Sequence, residues 1–371
     1  MLLLGTLYVV SFFADVLPIL ERRCLGCHRE GEAAPMALGS FEDARPYAKA
    51  IRDAVLRQTM PPGGGLDKKE VEILRQWAQR PVQGTPRAVQ WPEQPTVRTD
   101  LTLPMPEPFT LPKGSIIEYQ HFVLPTGLKQ DRWIQAIEIK PGNRRVVHHA
   151  VAFVRTVRSE FLRGGRLSVG DEVLGTYLPG GGILRLPAGT AKLLPKDSEI
   201  VLQLHYTAGA QDETDQTEVR LEFAEKPRER VYTMSIAHWE FEIPPFAAEH
   251  PVETEFRVGT GVRVLAVTPH MHLRGRSMRV TAGERVVLDV PRYRFDWQLR
   301  RELPKPVELG SGDVIRVEAT FDNSRNNRQN PNPAASVRWG EQSWEEMMVA
   351  FVEVAIPADW PPEAIYKAKR F

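Results

Sequence analysis

Two groups of residues in this 371-residue chain have the types and spacing for redox chemistry. The first is Cys24-Leu25-Gly26-Cys27-His28, which holds both cysteines of the sequence. C-x-x-C-H is the attachment signature of c-type haem: each thiol forms a thioether and the adjacent histidine is placed to bind the iron. The same letters could form half of a zinc site or a redox dithiol. Zinc needs further ligands nearby and a redox dithiol usually sits near a βαβ pattern, and neither accompanies this motif. One covalent haem is therefore expected, anchored by Cys24 and Cys27 with His28 on the iron. Met60, in Thr59-Met60-Pro61-Pro62, offers the other axial ligand, because a Pro-Gly loop leaves a methionine little core to pack; Met36 is the competitor.

The second group is histidine-rich. Five of the nine histidines fall in three compact motifs. His148 and His149 are adjacent inside an apolar run. Successive side chains of a strand point to opposite faces, so these two should diverge unless both serve something specific. His205 shares a strand face with Gln203 while Leu202, Leu204 and Tyr206 take the other, a polar stripe that needs a partner. His270 and His272 are two apart and project to one side, as two ligands of one metal should. Glu345-Glu346-Met347-Met348 opens the last apolar run and offers a thioether; strand alternation does not choose between Met347 and Met348. His121, His238 and His250 stand singly and read as ordinary core or surface residues.

The elements that must carry these groups differ along the chain. Around the cysteines the apolar spacing is helical: Val16, Leu17 and Leu20, then Ala48, Ile51, Ala54 and Val55, then Val71, Leu74 and Trp77 behind Asp67 and Glu70 at capping-box spacing. Residues 14–88 are expected to form a small all-α cytochrome c domain. Prolines crowd residues 89–114, which read as an extended linker. Short strand-like runs separated by turn residues fill the rest, the pattern of a jelly roll or sandwich. Its length suggests two all-β sandwich domains, 115–228 and 229–371, with a junction near Lys226. The expected fold class is thus multidomain, one small all-α domain followed by two β domains.

Charge and the N-terminus narrow the function. With 48 basic and 47 acidic residues, the net charge of +1 argues against a nucleic-acid partner or a polybasic membrane contact. Haem attached to C-x-x-C-H is assembled outside the cytoplasm, so an exported, periplasmic bacterial protein is expected. Residues 1–13 resemble a remnant signal segment, without a basic start or a clear cleavage site. They are too short for a membrane span.

In order and context, the H-H pair, the Q-x-H-Y histidine, the H-x-H pair and the E-E-M methionine resemble the copper type II, ascorbate-dependent monooxygenases. That family includes peptidylglycine α-hydroxylating monooxygenase and dopamine β-monooxygenase. The resemblance covers roughly residues 115 to 371. It implies two sandwich domains with one copper each: one on His148, His149 and His205, the other on His270, His272 and Met347, where O2 would bind. It also implies that one of the adjacent histidines coordinates through Nδ1 and the other through Nε2. The N-terminal haem segment is similar to bacterial fusions in which a monohaem c domain precedes this module. Two departures stand out. The animal enzymes carry disulfides in the sandwiches, whereas both cysteines here are assigned to haem; and an arginine that contacts a substrate carboxylate is replaced by Thr268.

The function that follows is a copper-dependent monooxygenase that hydroxylates a C–H bond of a small organic substrate with O2. It would hold two coppers and one haem c, the haem supplying electrons taken from a cytochrome, a quinol-linked complex or an ascorbate-like reductant. The alternative is a non-catalytic haem and copper subunit for electron transfer or copper binding in a larger complex. A copper nitrite reductase would need a cysteine thiolate for its blue copper, and haem attachment uses both cysteines. A zinc hydrolase at His148, His149 and His205 accords poorly with a thioether ligand and a haem.

Overall fold

The computed structural model describes residues 9–366 apart from 33, 94, 116, 118 and 157–171. It corrects the expected fold class. The described residues are mostly β, 40% strand against 13% helix, and form no sizeable all-α cytochrome c domain. The helical periods near the cysteines are real but brief: Leu17–Arg23, Phe41–Ala44, Ala48–Leu56 and Lys68–Gln79 run for between one and about three turns. Glycines and prolines between them hold the chain in turns, so a helical pattern of a few positions does not grow into a helical domain.

Two compact units exist. One ends at Thr96 and also takes in Asn143–Val147 and Pro179–Gly181. Its core gathers Phe12, Val16, Leu17, Leu20, Leu74 and Trp77. The Phe12 and Trp77 rings pack at 5.7 Å in a tilted pair, and Val10, Phe12 and Phe13, read from sequence as the end of a signal-like segment, are buried core residues. Asp67 and Glu70 form the capping box that starts Lys68–Gln79, each side chain accepting from the other's backbone N–H. Residues 1–8 of the signal-like segment lie outside the described residues.

The other unit holds the sheets. A nine-stranded sheet runs Leu101–Pro104, Glu218–Ala224, Arg132–Lys140, Thr190–Leu194, Glu229–Ala237, Met348–Pro357, Val262–Met271, Arg301–Leu309, with Ile183–Arg185 also on Arg132–Lys140. The continuity depends on one short parallel pairing, Glu229 opposite Thr190 and Arg230 opposite Ala191. The strands on either side of Lys226 are joined in one sheet through this pairing. Pro104 is accommodated because Leu101–Pro104 is an edge strand, which explains how regular structure begins inside the proline-rich stretch.

Two four-stranded sheets and two two-stranded ones accompany the long sheet. Gln120–Pro125, Glu199–Tyr206, Val147–Arg155 and Glu172–Tyr177 form one, which carries His149 and His205. His250–Arg257, Val314–Phe321, Gly275–Ala282 and Arg285–Val290 form the other, and its inward residues Met278, Val280 and Phe321 share a core with Met234, Val264 and Val352 of the long sheet. Period-2 burial along Val314–Phe321 shows why these residues make a strand with one wet face. Among the described residues no helix is long and apolar enough to cross a membrane.

Candidate metal sites

His148, His149 and His205 come together, each offering a ring nitrogen so that the three nitrogens lie within 4.8 Å of one another. The neighbouring histidines do not diverge. Their Nδ1 atoms face each other at 3.0 Å, in place of an Nδ1 beside an Nε2. Two nitrogens about 2.0–2.1 Å from one tetrahedral ion would be separated by roughly 3.3 Å, so this gap suits a shared metal. His148 Nε2–H donates to Asp296 Oδ1 at 3.3 Å, which leaves Nδ1 as the atom facing the cluster. That hydrogen bond also holds the Asp296 carboxyl below its ordinary range. His205 Nδ1 is buried with no hydrogen-bond partner among the described residues, an orphaned atom that a metal would satisfy.

Burial favours the neutral form of the His149 and His205 rings. It pushes His149 well below the usual histidine range and His205 down to about 4, with the neighbouring histidines adding to both shifts. A neutral imidazole presents a lone pair at physiological pH, as a ligand must. Aromatic rings wall the cluster. Tyr119 stacks on His205 at 4.9 Å, and Phe295 lies within 5.6–5.9 Å of all three imidazoles.

His270 and His272 form a second pair, their rings 5.2 Å apart and nearly perpendicular. Each is fixed through Nδ1. His270 donates to Gln298 Oε1 at 2.5 Å, and Gln298 in turn donates to the Phe295 carbonyl at 3.1 Å. His272 donates to the Glu345 carbonyl at 3.3 Å. Both Nε2 atoms are left as acceptors, and burial depresses both pKa values.

Met347 lines the same pocket as these two rings, whereas Met348 lies opposite Met271 in the long sheet and belongs to the hydrophobic core. The choice that strand alternation left open is thus made by position: Met348 faces the core and Met347 faces the histidines.

A buried carboxylate organises this end of the sheet. Glu346 accepts from the backbone N–H of His272 at 2.8 Å, Arg274 at 2.6 Å and Met347 at 3.2 Å. Burial pushes its carboxyl up to about 8, against the pull of those three donors and the Arg274 guanidinium. Arg274 is itself buried, donating to Asn323 Oδ1 and to the Trp344 carbonyl, each at 2.9 Å. Asn327 donates to the Leu273 carbonyl at 3.1 Å. The asparagine-rich loop after Phe321 therefore locks the backbone directly after the H-x-H pair.

One member of the first set shares a pocket with the second set. His149, His270, His272 and Met347 all line it, beside Phe153 and Phe351. Phe295, in contact with the first set, also lies 6.0 Å from the His272 ring.

The haem-signature residues lie in the N-terminal unit. Cys24 and Cys27 are free, half-buried thiols, and burial pushes Cys24 up to about 12 and Cys27 upward as well. His28 Nδ1–H donates to the Met36 carbonyl at 3.2 Å, which leaves Nε2 as the ring's lone-pair nitrogen. Met36 packs on the unit's core, while half-buried Met60 lies outside it. A side chain at Gly180, where φ is +83°, would run into Cys27 Sγ. Arg144 meets Glu32 through two contacts of 3.0 and 3.2 Å. Of the singly placed histidines, His121 pairs through Nε2 with Gln203 at 2.9 Å, and His238 Nδ1 accepts from the Glu240 N–H.

Sequence spacing did not point to Asp296, Gln298, Phe295, Arg274 or Glu346 as site residues. Three of these lie in the irregular stretch between Val290 and Arg301, where no period marks them. The one available hint was the run of asparagines from Asn323 to Asn332, which is rich in side chains that bind backbone.

No protein-family model matches the sequence, and no curated protein does either. Among solved structures, the chain is similar to the major capsid protein P2 of bacteriophage PM2, at 9% identity over 70% of this chain and 98% of that one, with a TM-score of 0.28. It is similar to PNGF-II at 10% identity over 69% and 64% of the two chains, with a TM-score of 0.30. An allantoicase overlaps at 10% identity over 59% and 81%, with a TM-score of 0.20. Superpositions this loose do not define a shared fold.

Proposed function

We propose that the chain is a copper-dependent monooxygenase that hydroxylates a C–H bond of a small organic substrate with O2. The observation that supports this most is the presence of two ligand sets of different softness, one member of the first sharing a pocket with the second. Three imidazoles suit copper or zinc, whereas two imidazoles with the Met347 thioether favour Cu(I), so copper is the metal that fits both sets. When bound, copper supplies one-electron storage at each site and a reduced ion that reacts with oxygen.

The chain's own residues prepare those sites. Asp296 orients His148, and Gln298 and the Glu345 carbonyl orient His270 and His272, so the ligand nitrogens are fixed before any metal arrives. Glu346 ties the Met347 backbone to that of His272, holding the segments that carry the thioether and imidazole ligands together. Phe153 and Phe351 make the pocket wall apolar, which limits water where a reactive oxygen species would form.

Cys24, Cys27, His28 and Met60 would hold a haem, which would supply one-electron transfer. The His28 tautomer accords with that role. Such a haem goes with an exported, periplasmic protein fed by a cytochrome, a quinol-linked complex or an ascorbate-like reductant.

Isotope labelling tests the activity. The reduced, copper-loaded chain supplied with 18O2 and a panel of C–H substrates should yield a hydroxylated product carrying one labelled oxygen. Copper bound at both sites with no label incorporated from any substrate would favour the non-catalytic electron-transfer reading.

A further inference from the structure

Two short returns from the strand region belong to the unit that carries the haem signature, Asn143–Val147 and Pro179–Gly181. Charge holds the first. Buried Glu32, in the turn after His28, accepts from Arg29 at 2.9 Å and from Arg144 at 3.0 and 3.2 Å. The second lies against sulfur. A Cβ at Gly180 would overlap Cys27 Sγ, and the φ of +83° there is one that glycine adopts freely and other residues rarely do.

That closeness matters in one chemical state. A free cysteine turns about a single side-chain torsion, so its sulfur can swing away from an intruding methyl group. A thioether cannot. When the thiol adds across a haem vinyl group, sulfur bonds to one carbon, the thiol hydrogen goes to the other, and no electron is gained or lost overall. Sulfur is then tied to the macrocycle while the next residue, His28, is tied to the iron, and the torsion is fixed.

We infer that Gly180 is a positioning residue for the haem: the space it leaves empty is the space in which the Cys27 thioether must sit. The haem site is thereby completed from far along the chain, so the short N-terminal helices need not enclose the group alone. The inference rests on the haem reading and is independent of copper.

The test uses the full-length chain produced with c-type haem maturation, then unfolded and alkylated so that any unattached Cys27 thiol is tagged and read by peptide mass. Gly180→Ala should show about tenfold more tagged Cys27 than the unaltered chain, the scale on which one extra carbon in a packed contact is felt. Gly189→Ala is the control. It also places a side chain at positive φ, +80°, but among the described residues nothing lies within 4 Å of the added carbon, so its Cys27 should stay attached. Made without haem, the two variants should lose the same small amount of thermal stability, because positive φ burdens both alike. Equal tagging in Gly180→Ala and the unaltered chain would overturn the inference, and so would equal tagging in the two variants. A second measurement needs no variant to fold. In the unaltered chain labelled with 15N-glycine, the Gly180 amide should shift between the ferric and ferrous states, and an unmoved Gly180 would overturn the inference too. Both thiols free in the unaltered chain would instead bring down the haem reading, and the inference with it.

Discussion

His148 Nδ1 lies 3.0 Å from His149 Nδ1, although the two residues are neighbours in one strand. Alternation should send them to opposite faces, and what holds His148 inward is the carboxylate of Asp296 on its far nitrogen. Asp296→Ala should therefore lower metal affinity at the His148, His149 and His205 set by about 10–100-fold, and leave the His270 and His272 set unchanged. Asp296→Asn keeps an acceptor and should lose less. Competition with a chelator of known affinity reads both.

The depressed pKa values of His149 and His205 set a pH dependence for the metal-free chain. In the unfolded chain these rings take up protons near pH 6.5; in the folded chain they resist until far lower, about pH 4 for His205. Between those values the unfolded state binds more protons, so stability is full above about pH 6.5 and falls as pH drops toward 4. Thermal unfolding of the metal-free protein should show that decline. His205→Asn should flatten part of it, because one of the rings that must charge is gone.

Met347 and Met348 should fail in different ways. Met348 is wholly buried in the core, so Met348→Ala should cost about 2–5 kcal/mol of stability. Met347 faces the pocket, so Met347→Ala should lose Cu(I) affinity with a smaller stability cost. Denaturant melts and Cu(I) competition on the same two proteins separate the effects. A Cu(I) loss confined to Met348→Ala would remove Met347 from the ligand set.

How much of this was legible in the sequence depends on how local the signal is. His270 and His272 could be paired because side chains two apart on a strand share a face, and the softness of a methionine ligand is written in its type. Asp296, Gln298 and Phe295 could not be found that way, because a loop without period gives no direction to its side chains. The continuous sheet was hidden for another reason. It depends on the pairing of Thr190 and Ala191 with Glu229 and Arg230, a backbone contact that side-chain pattern does not encode. The N-terminal region misled in the opposite sense: Ala48, Ile51 and Val55 share a helical face, but short amphipathic turns occur in units that are not helical domains.

Glu346 should be more than a bystander to the second set. Removing its carboxyl group leaves three buried backbone N–H groups without acceptors. Glu346→Ala should cost about 1–3 kcal/mol, the range for stranding buried hydrogen-bond donors, as measured by denaturant unfolding. Where the variant folds, metal affinity at His270 and His272 should fall while the other set keeps its own.

The central claim is two copper sites of separate composition, and metal analysis of the copper-reconstituted chain tests it most directly. The unaltered protein should hold two coppers per chain. His205→Ala should hold one, and so should His272→Ala, with the copper that remains differing between the two variants in Cu(I) affinity. A single copper in the unaltered chain, or loss of both from either substitution, would contradict the account.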